Sequence, residues 1–199
     1  MKTTFKIACL MLIFTIIGTI GFTQTQKFVL KKGTILIYQV DNQDQKYDFT
    51  INVEEISPSI VFTFKMSNTR KTSGKITITK EALKSAIAQY NYFQNNEITL
   101  DKQTTVWISK KVWNNLKKHK KSNISTNSGE MNLKLLELVN TQDYPILLNG
   151  EDIILKSMYC ITKDSNSYKY WILDDVNNPL ILKMELNFSI ELKEVKYKN

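Results

Sequence analysis

Histidine and cysteine, the residues that most often bind metals or act as nucleophiles, are scarce in this chain of 199 residues. The only histidine is His119, and Cys160 is the only cysteine outside the N-terminal apolar segment. A structural zinc site needs four ligands of these types, and a catalytic zinc site usually has more than one histidine. We expect His119, which lies within a run of lysines, to be exposed and Cys160 to be a small core residue. The sequence therefore predicts no metal site.

Carboxylates and glycines also lack the spacing that catalysis or cofactor binding requires. Glu54-Glu55 and Asp174-Asp175 are adjacent pairs, and adjacent residues of a strand point to opposite faces, so neither pair converges on a substrate. No two glycines after residue 23 are closer than about twenty residues, which excludes a P-loop and a dinucleotide-binding fingerprint. We expect a protein that is not an enzyme and has no cofactor. A hydrolase with a Ser–Lys pair stays open, because serines and lysines are plentiful.

The segment from Lys110 to Lys121 combines many lysines with an apolar face. Trp113 and Leu116 fall on one side of a predicted helix, whereas most of the lysines fall outside it. One interpretation is structural, since lysines near the end of a helix complement its dipole. The other is ligand binding, with an apolar chain against Trp113 and Leu116 and an anionic headgroup near Lys117 and Lys118. These four residues are the candidate ligand-binding residues.

The composition argues against nucleic acid as the anionic partner. The chain has 27 basic residues and a formal net charge of +8, but Arg70 is its only arginine. The guanidinium group is the usual bidentate partner of phosphate and guanine, and lysine does not replace it. We therefore expect no nucleic-acid partner, and a lipid or another apolar ligand remains the possible partner.

Residues 1–23 have the pattern of a signal peptide. Lys2 and Lys6 precede an apolar run from Ile7 to Ile20, and small residues follow before Gln24. The run has 14 residues, fewer than the roughly 20 that a spanning helix needs. We expect cleavage after Thr23, no stable membrane span afterwards, and a periplasmic or extracellular location. The alternative is a retained N-terminal anchor.

Residues 24–199 have the composition of one β-rich domain without linkers or repeats. Apolar and polar residues alternate with a period of two, which is typical of strands with one buried face. The alternation is clearest in 47–54, 60–66 and 180–192. Asn149-Gly150 predicts a type I′ hairpin turn, and a one-residue slip in the alternation predicts a bulge near Lys193.

Two segments in the middle of the chain have helical spacing instead. Apolar residues within 80–88 and 109–119 recur every three or four positions, with Thr79 and Ser109 as N-caps. The predicted fold is mainly β: a single curved antiparallel sheet, or an open or half barrel with meander connections, with two short helices.

The C-terminal strands carry a resemblance to known proteins, which covers about residues 145–197. The residues concerned are Tyr170-Trp171-Ile172-Leu173-Asp174-Asp175, Asn178-Pro179-Leu180-Ile181-Leu182 and Ile190-Glu191-Leu192-Lys193-Glu194. This pattern resembles exported β-rich proteins of Bacteroidetes-type bacteria. More distantly, it is similar to the periplasmic half-barrel group that includes the lipoprotein carrier of the outer-membrane localisation pathway. The resemblance implies a curved sheet with helices on its concave side, and it transfers no functional residue.

These observations favour an exported cell-envelope protein that binds an apolar or lipid-like ligand in a curved sheet. The alternative is a non-enzymatic structural or interaction protein with a filled core. An apolar cavity of about 300 Å³ or more favours the first hypothesis, because pockets for small ligands start at about that size.

Overall fold

The computed structural model describes residues 28–43, 45–126, 133–163 and 167–198. The predicted signal peptide 1–23 and the turn predicted at Asn127-Ser128-Gly129 lie outside the described residues. Within them, thirteen strands join one sheet and two segments are helical.

The helices are α1 (Lys80–Ser85) and α2 (Lys110–His119). The strands are β1 (Thr34–Asn42), β2 (Gln45–Glu55), β3 (Ile60–Met66), β4 (Ser73–Ile78), β5 (Ala88–Gln89), β6 (Glu97–Leu100), β7 (Gln103–Thr104), β8 (Lys121–Ser125), β9 (Leu133–Leu148), β10 (Glu151–Thr162), β11 (Lys169–Leu173), β12 (Ile181–Glu185) and β13 (Ser189–Tyr197).

The prediction of a mainly β protein with one curved sheet and two short helices is confirmed. The strand order is β6-β4-β3-β2-β1-β13-β12-β11-β10-β9-β8-β5-β7. The sheet is mixed rather than purely antiparallel, because β4–β6, β5–β7, β5–β8 and β9–β13 are parallel pairs. β4 and β6 are parallel because the chain between them passes through α1 and a long loop and returns to the same end of the sheet.

Local patterns in the sequence account for the strands. In β2 the side chains of Phe49, Ile51 and Val53 are buried, and the residues between them are more exposed. Asn149 and Gly150 have φ angles of 52° and 85°, the positive values that a type I′ turn requires. Ile37 pairs with Glu194 and Tyr38 with Leu192. Lys193 is therefore the extra residue of the predicted bulge.

Both helices begin at the predicted caps. The side-chain oxygens of Thr79 and Ser109 accept hydrogen bonds from backbone N–H groups at 3.2 and 3.3 Å. α2 has the predicted end, but α1 stops at Ser85 rather than at residue 88. The physical reason is competition from the sheet, because Ser125 N–H donates to the Ile87 carbonyl and Ala88 begins β5.

The segment 104–109 lies in the interior of the protein, since every one of its residues is buried. Trp107 is fully buried, and its indole Nε1–H donates to the Asn178 carbonyl oxygen Oδ1 at 2.9 Å. Trp107 lies outside the named strands and forms an isolated antiparallel bridge with Leu180. The segment is therefore tied to the β11–β12 turn inside the protein.

Candidate functional site

The four residues proposed from the sequence lie on α2 but do not form one exposed surface. Leu116 is fully buried and Trp113 is half-buried against the core. Lys117 Nζ lies 3.0 Å from both carboxylate oxygens of Asp174 and 5.5 Å from the centre of the Trp113 ring. Lys118 is exposed. The charge of Lys117 is therefore compensated within the protein, whereas Lys118 pairs with no carboxylate among the residues that the structure describes.

The two aspartates at 174 and 175 have different roles. Asp175 Oδ1 accepts a hydrogen bond from Asn177 N–H at 2.9 Å, which is the turn contact that the sequence predicts. Asp174 instead pairs with Lys117, which is 57 residues away in the chain. Nothing in the local sequence indicates that pairing.

The histidine and the cysteine lie where the sequence places them. His119 is exposed at the end of α2. Cys160 is fully buried, and burial raises the pKa of its thiol to about 12. A thiol with that pKa is protonated at neutral pH and is a poor nucleophile. In the described part of the chain, no three His, Cys, Asp or Glu side chains are grouped so that they could hold a metal ion.

A cavity of about 440 Å³ opens at the end of the sheet where the β2–β3 turn, the β11–β12 turn and both helices meet. We call it the lysine pocket. Its apolar wall includes Ile56, Pro58, Ile60, Leu83, Trp107 and Ile108. Three cationic side chains line it, those of Lys80, Lys84 and Lys110, and none of the described lining residues has a carboxylate.

The two helix caps determine where these lysines lie. Thr79 starts α1, so Lys80, Leu83 and Lys84 fall within one turn on the same side of that helix. Ser109 starts α2, which makes Lys110 its first residue. All three lysines are exposed. Among the described residues, no carboxylate is paired with any of them.

Sequence reasoning counted Lys110 within the basic segment but missed Lys80 and Lys84. Their spacing of four residues around Leu83 was the available sign, because positions i and i+4 of a helix share a face. No local pattern in the sequence indicated that the turn containing Ile56 and Pro58 would line the cavity. The position of this turn beside the helices depends on the register of β2 and β3.

A second cavity, of about 290 Å³, opens at the opposite end of the strands. We call it the aromatic pocket, since five rings line it: Tyr47, Phe49, Tyr92, Phe93 and Phe188. A more polar cavity of about 660 Å³ adjoins it and shares Tyr92 and Phe188 with it. Val106 lines the aromatic pocket, whereas its neighbours Trp107 and Ile108 line the lysine pocket. The buried segment 104–109 thus lies between the two.

Comparisons of the chain with family models, with curated proteins and with solved structures found no match. In the described part of the chain, neither helix has the length and apolar character that a bilayer-crossing helix needs.

Proposed function

We propose that the protein binds an anionic amphiphile, such as a fatty acid, in the lysine pocket. The single observation that carries this proposal is the combination of an apolar wall with three unpaired lysines at one cavity. The cavity volume of about 440 Å³ lies within the range of pockets that bind small molecules. The ligand class is the one that the sequence favoured, but the location differs from the predicted site at Trp113, Leu116, Lys117 and Lys118.

The two parts of such a ligand have different energetic roles. Burying the tail against Ile56, Leu83 and Ile108 supplies most of the affinity, at about 0.8 kcal/mol for each methylene removed from water. The exposed lysines attract the headgroup across solvent, so each of them adds only modestly to the binding free energy. They therefore favour a carboxylate over a neutral headgroup, and salt weakens this preference.

Binding of decanoate and of decanol, measured by calorimetric titration at low salt, tests the proposal. We expect the combined Lys80→Gln, Lys84→Gln and Lys110→Gln variant to bind decanoate about tenfold more weakly, from three modest electrostatic contributions. Binding of decanol should stay the same. These lysines are exposed, so their replacement should not unfold the protein.

The matched control is the combined Lys102→Gln, Lys118→Gln and Lys121→Gln variant, which removes three exposed lysines that do not line the pocket. It should bind decanoate as the unchanged protein does. An equal loss in both triple variants would contradict the lysine pocket and indicate an effect of net charge alone. Loss only in the control would return the site to the surface of α2, where Lys118 lies.

The apolar wall has its own variant. Ile56 is 43% exposed, so Ile56→Ser should leave the fold intact and weaken the binding of decanoate and of decanol alike.

If neither compound binds the unchanged protein, the alternative of a structural or interaction protein is favoured. The fully buried Trp107, as part of a filled core, supports that alternative.

A further inference from the structure

The aromatic pocket and the adjoining polar cavity present a group of rings that the core does not fully cover. Tyr92 is 71% exposed. The side chains of Tyr47, Tyr90, Tyr168 and Phe188 are partly exposed around it. All five rings line one or both of the two cavities. The rings therefore offer flat apolar surfaces to a ligand at this end of the sheet.

The loop that carries Tyr92 is held at several points. Tyr90 N–H donates to the Thr104 carbonyl at 2.6 Å, and Asn91 Nδ2 donates to the Thr126 carbonyl at 3.1 Å. The centre of the Phe93 ring lies 4.6 Å from that of Phe49 and 5.1 Å from that of Phe64. These contacts fix the loop before a ligand arrives, which reduces the entropy that binding costs.

The polar groups that line the two cavities are mostly neutral. Amide side chains come from Asn42, Asn91, Gln94 and Asn187, and an amide both donates and accepts hydrogen bonds. Burial raises the pKa values of Tyr47 and Tyr90, so both phenols keep their protons at neutral pH. Among the described residues that line either cavity, Arg70 carries the one charged side chain and none has a carboxylate.

We propose that the aromatic pocket and the adjoining cavity bind a neutral oligosaccharide. A sugar ring has apolar C–H faces that pack on aromatic rings, and it has hydroxyl groups that both donate and accept hydrogen bonds. Amides and phenols match those hydroxyls in both roles. Among the described lining residues, an anionic ligand would meet one cation here, whereas it would meet three in the lysine pocket.

This site is independent of the lysine pocket. The β1–β2 and β12–β13 turns border the aromatic pocket and its neighbour, whereas the β2–β3 and β11–β12 turns border the lysine pocket. Successive turns of an antiparallel sheet lie at opposite ends of the strands, so the two sites face in different directions. A variant at one end should leave binding at the other unchanged.

Calorimetric titration with cellopentaose, maltopentaose and chitopentaose tests this proposal. We expect at least one of them to bind, and Tyr92→Ala to weaken that binding by about three- to tenfold, the amount that one aromatic contact contributes. The exposure of Tyr92 makes an effect on folding small. Phe188→Ala, which removes another ring that lines both cavities, is the second variant and should weaken binding of the same sugar.

The matched control is Tyr159→Ala. Its ring is also partly exposed, but it packs against Trp171 at a ring-centre distance of 4.9 Å and lines neither cavity. Sugar binding should not change in this variant, and decanoate binding should not change in Tyr92→Ala. The proposal is overturned if none of the three sugars binds, or if Tyr92→Ala and Phe188→Ala both leave binding unchanged. Tighter binding of tri-galacturonate that Arg70→Gln abolishes would replace the neutral ligand with an anionic one.

Discussion

Among single residues, burial has the clearest chemical consequence at Cys160. The thiol is fully buried, and Cys160 Sγ donates to the Met158 carbonyl at 3.9 Å, a weak contact. Desolvation disfavours the charged thiolate, so the pKa rises to about 12. An unfolded chain would expose the same thiol with an ordinary pKa of about 8.5.

The test uses the chain that begins at Gln24, in which Cys160 is the one thiol. At pH 8 we expect this thiol to react with Ellman's reagent roughly a thousandfold more slowly in the folded protein than in urea. The thiolate fraction is smaller by about that factor when the pKa of the thiol is about 12 rather than about 8.5. The absorbance of the released thiolate measures both rates. Equal rates in buffer and in urea would show that the thiol is accessible, contrary to its position in β10.

Between elements, one close approach involves Gly74 of β4. A Cβ atom built at this position would lie 2.3 Å from the Asn96 carbonyl oxygen and 2.8 Å from an atom of the Phe64 ring. Neither neighbour is free to move away, because Asn96 accepts a hydrogen bond from Lys75 N–H and the Phe64 ring packs against Phe49 and Phe93. The absence of a side chain at Gly74 therefore lets β4 pack directly against the Phe64 ring and the backbone of Asn96.

We expect Gly74→Ala to lower the free energy of unfolding by about 1–3 kcal/mol, as overpacking in a rigid site does. Urea unfolding followed by circular dichroism measures the change. Thr77→Ala is the matched control in the same strand, since it removes atoms instead of adding them, and its effect should be smaller. If both variants unfold at the same urea concentration, the site around Gly74 can relax and the steric argument is wrong.

For the molecule as a whole, the N-terminal segment predicts export. Lys2, Lys6 and the short apolar run predict cleavage after Thr23. N-terminal sequencing of the protein recovered from the periplasm or the medium should start near Gln24. An intact Met1 in the membrane fraction would instead support the retained anchor.

Export would also exclude an internal disulfide as a source of stability for the fold. A chain that begins at Gln24 has one cysteine, and in the structure it is free. No internal disulfide can then form, so stability has to come from packing of the sheet over residues such as Trp107 and Leu36, both fully buried. The two proposed sites lie at the ends of this core rather than through its centre.

The sequence alone determined the features that depend on neighbouring residues. The alternation in β2, the caps Thr79 and Ser109, the turn at Asn149-Gly150 and the bulge at Lys193 all follow from preferences that act over a few positions. The mainly β fold with two short helices followed from these, and so did the exposure of His119 and the burial of Cys160.

Only the tertiary structure decided which distant residues meet. Lys117 pairs with Asp174 across 57 residues, and Trp107 bonds to Asn178 across 71. Both contacts depend on strand register and on the path of segment 104–109. The early end of α1 and the parallel pairs have the same cause, since hydrogen bonds to remote strands outweigh weak local preferences. The pattern within α2 alone indicated Lys117 and Lys118 as ligand-binding residues. Cavities form where several elements meet, so no single helix could indicate that Lys110 lines one cavity together with Lys80 and Lys84.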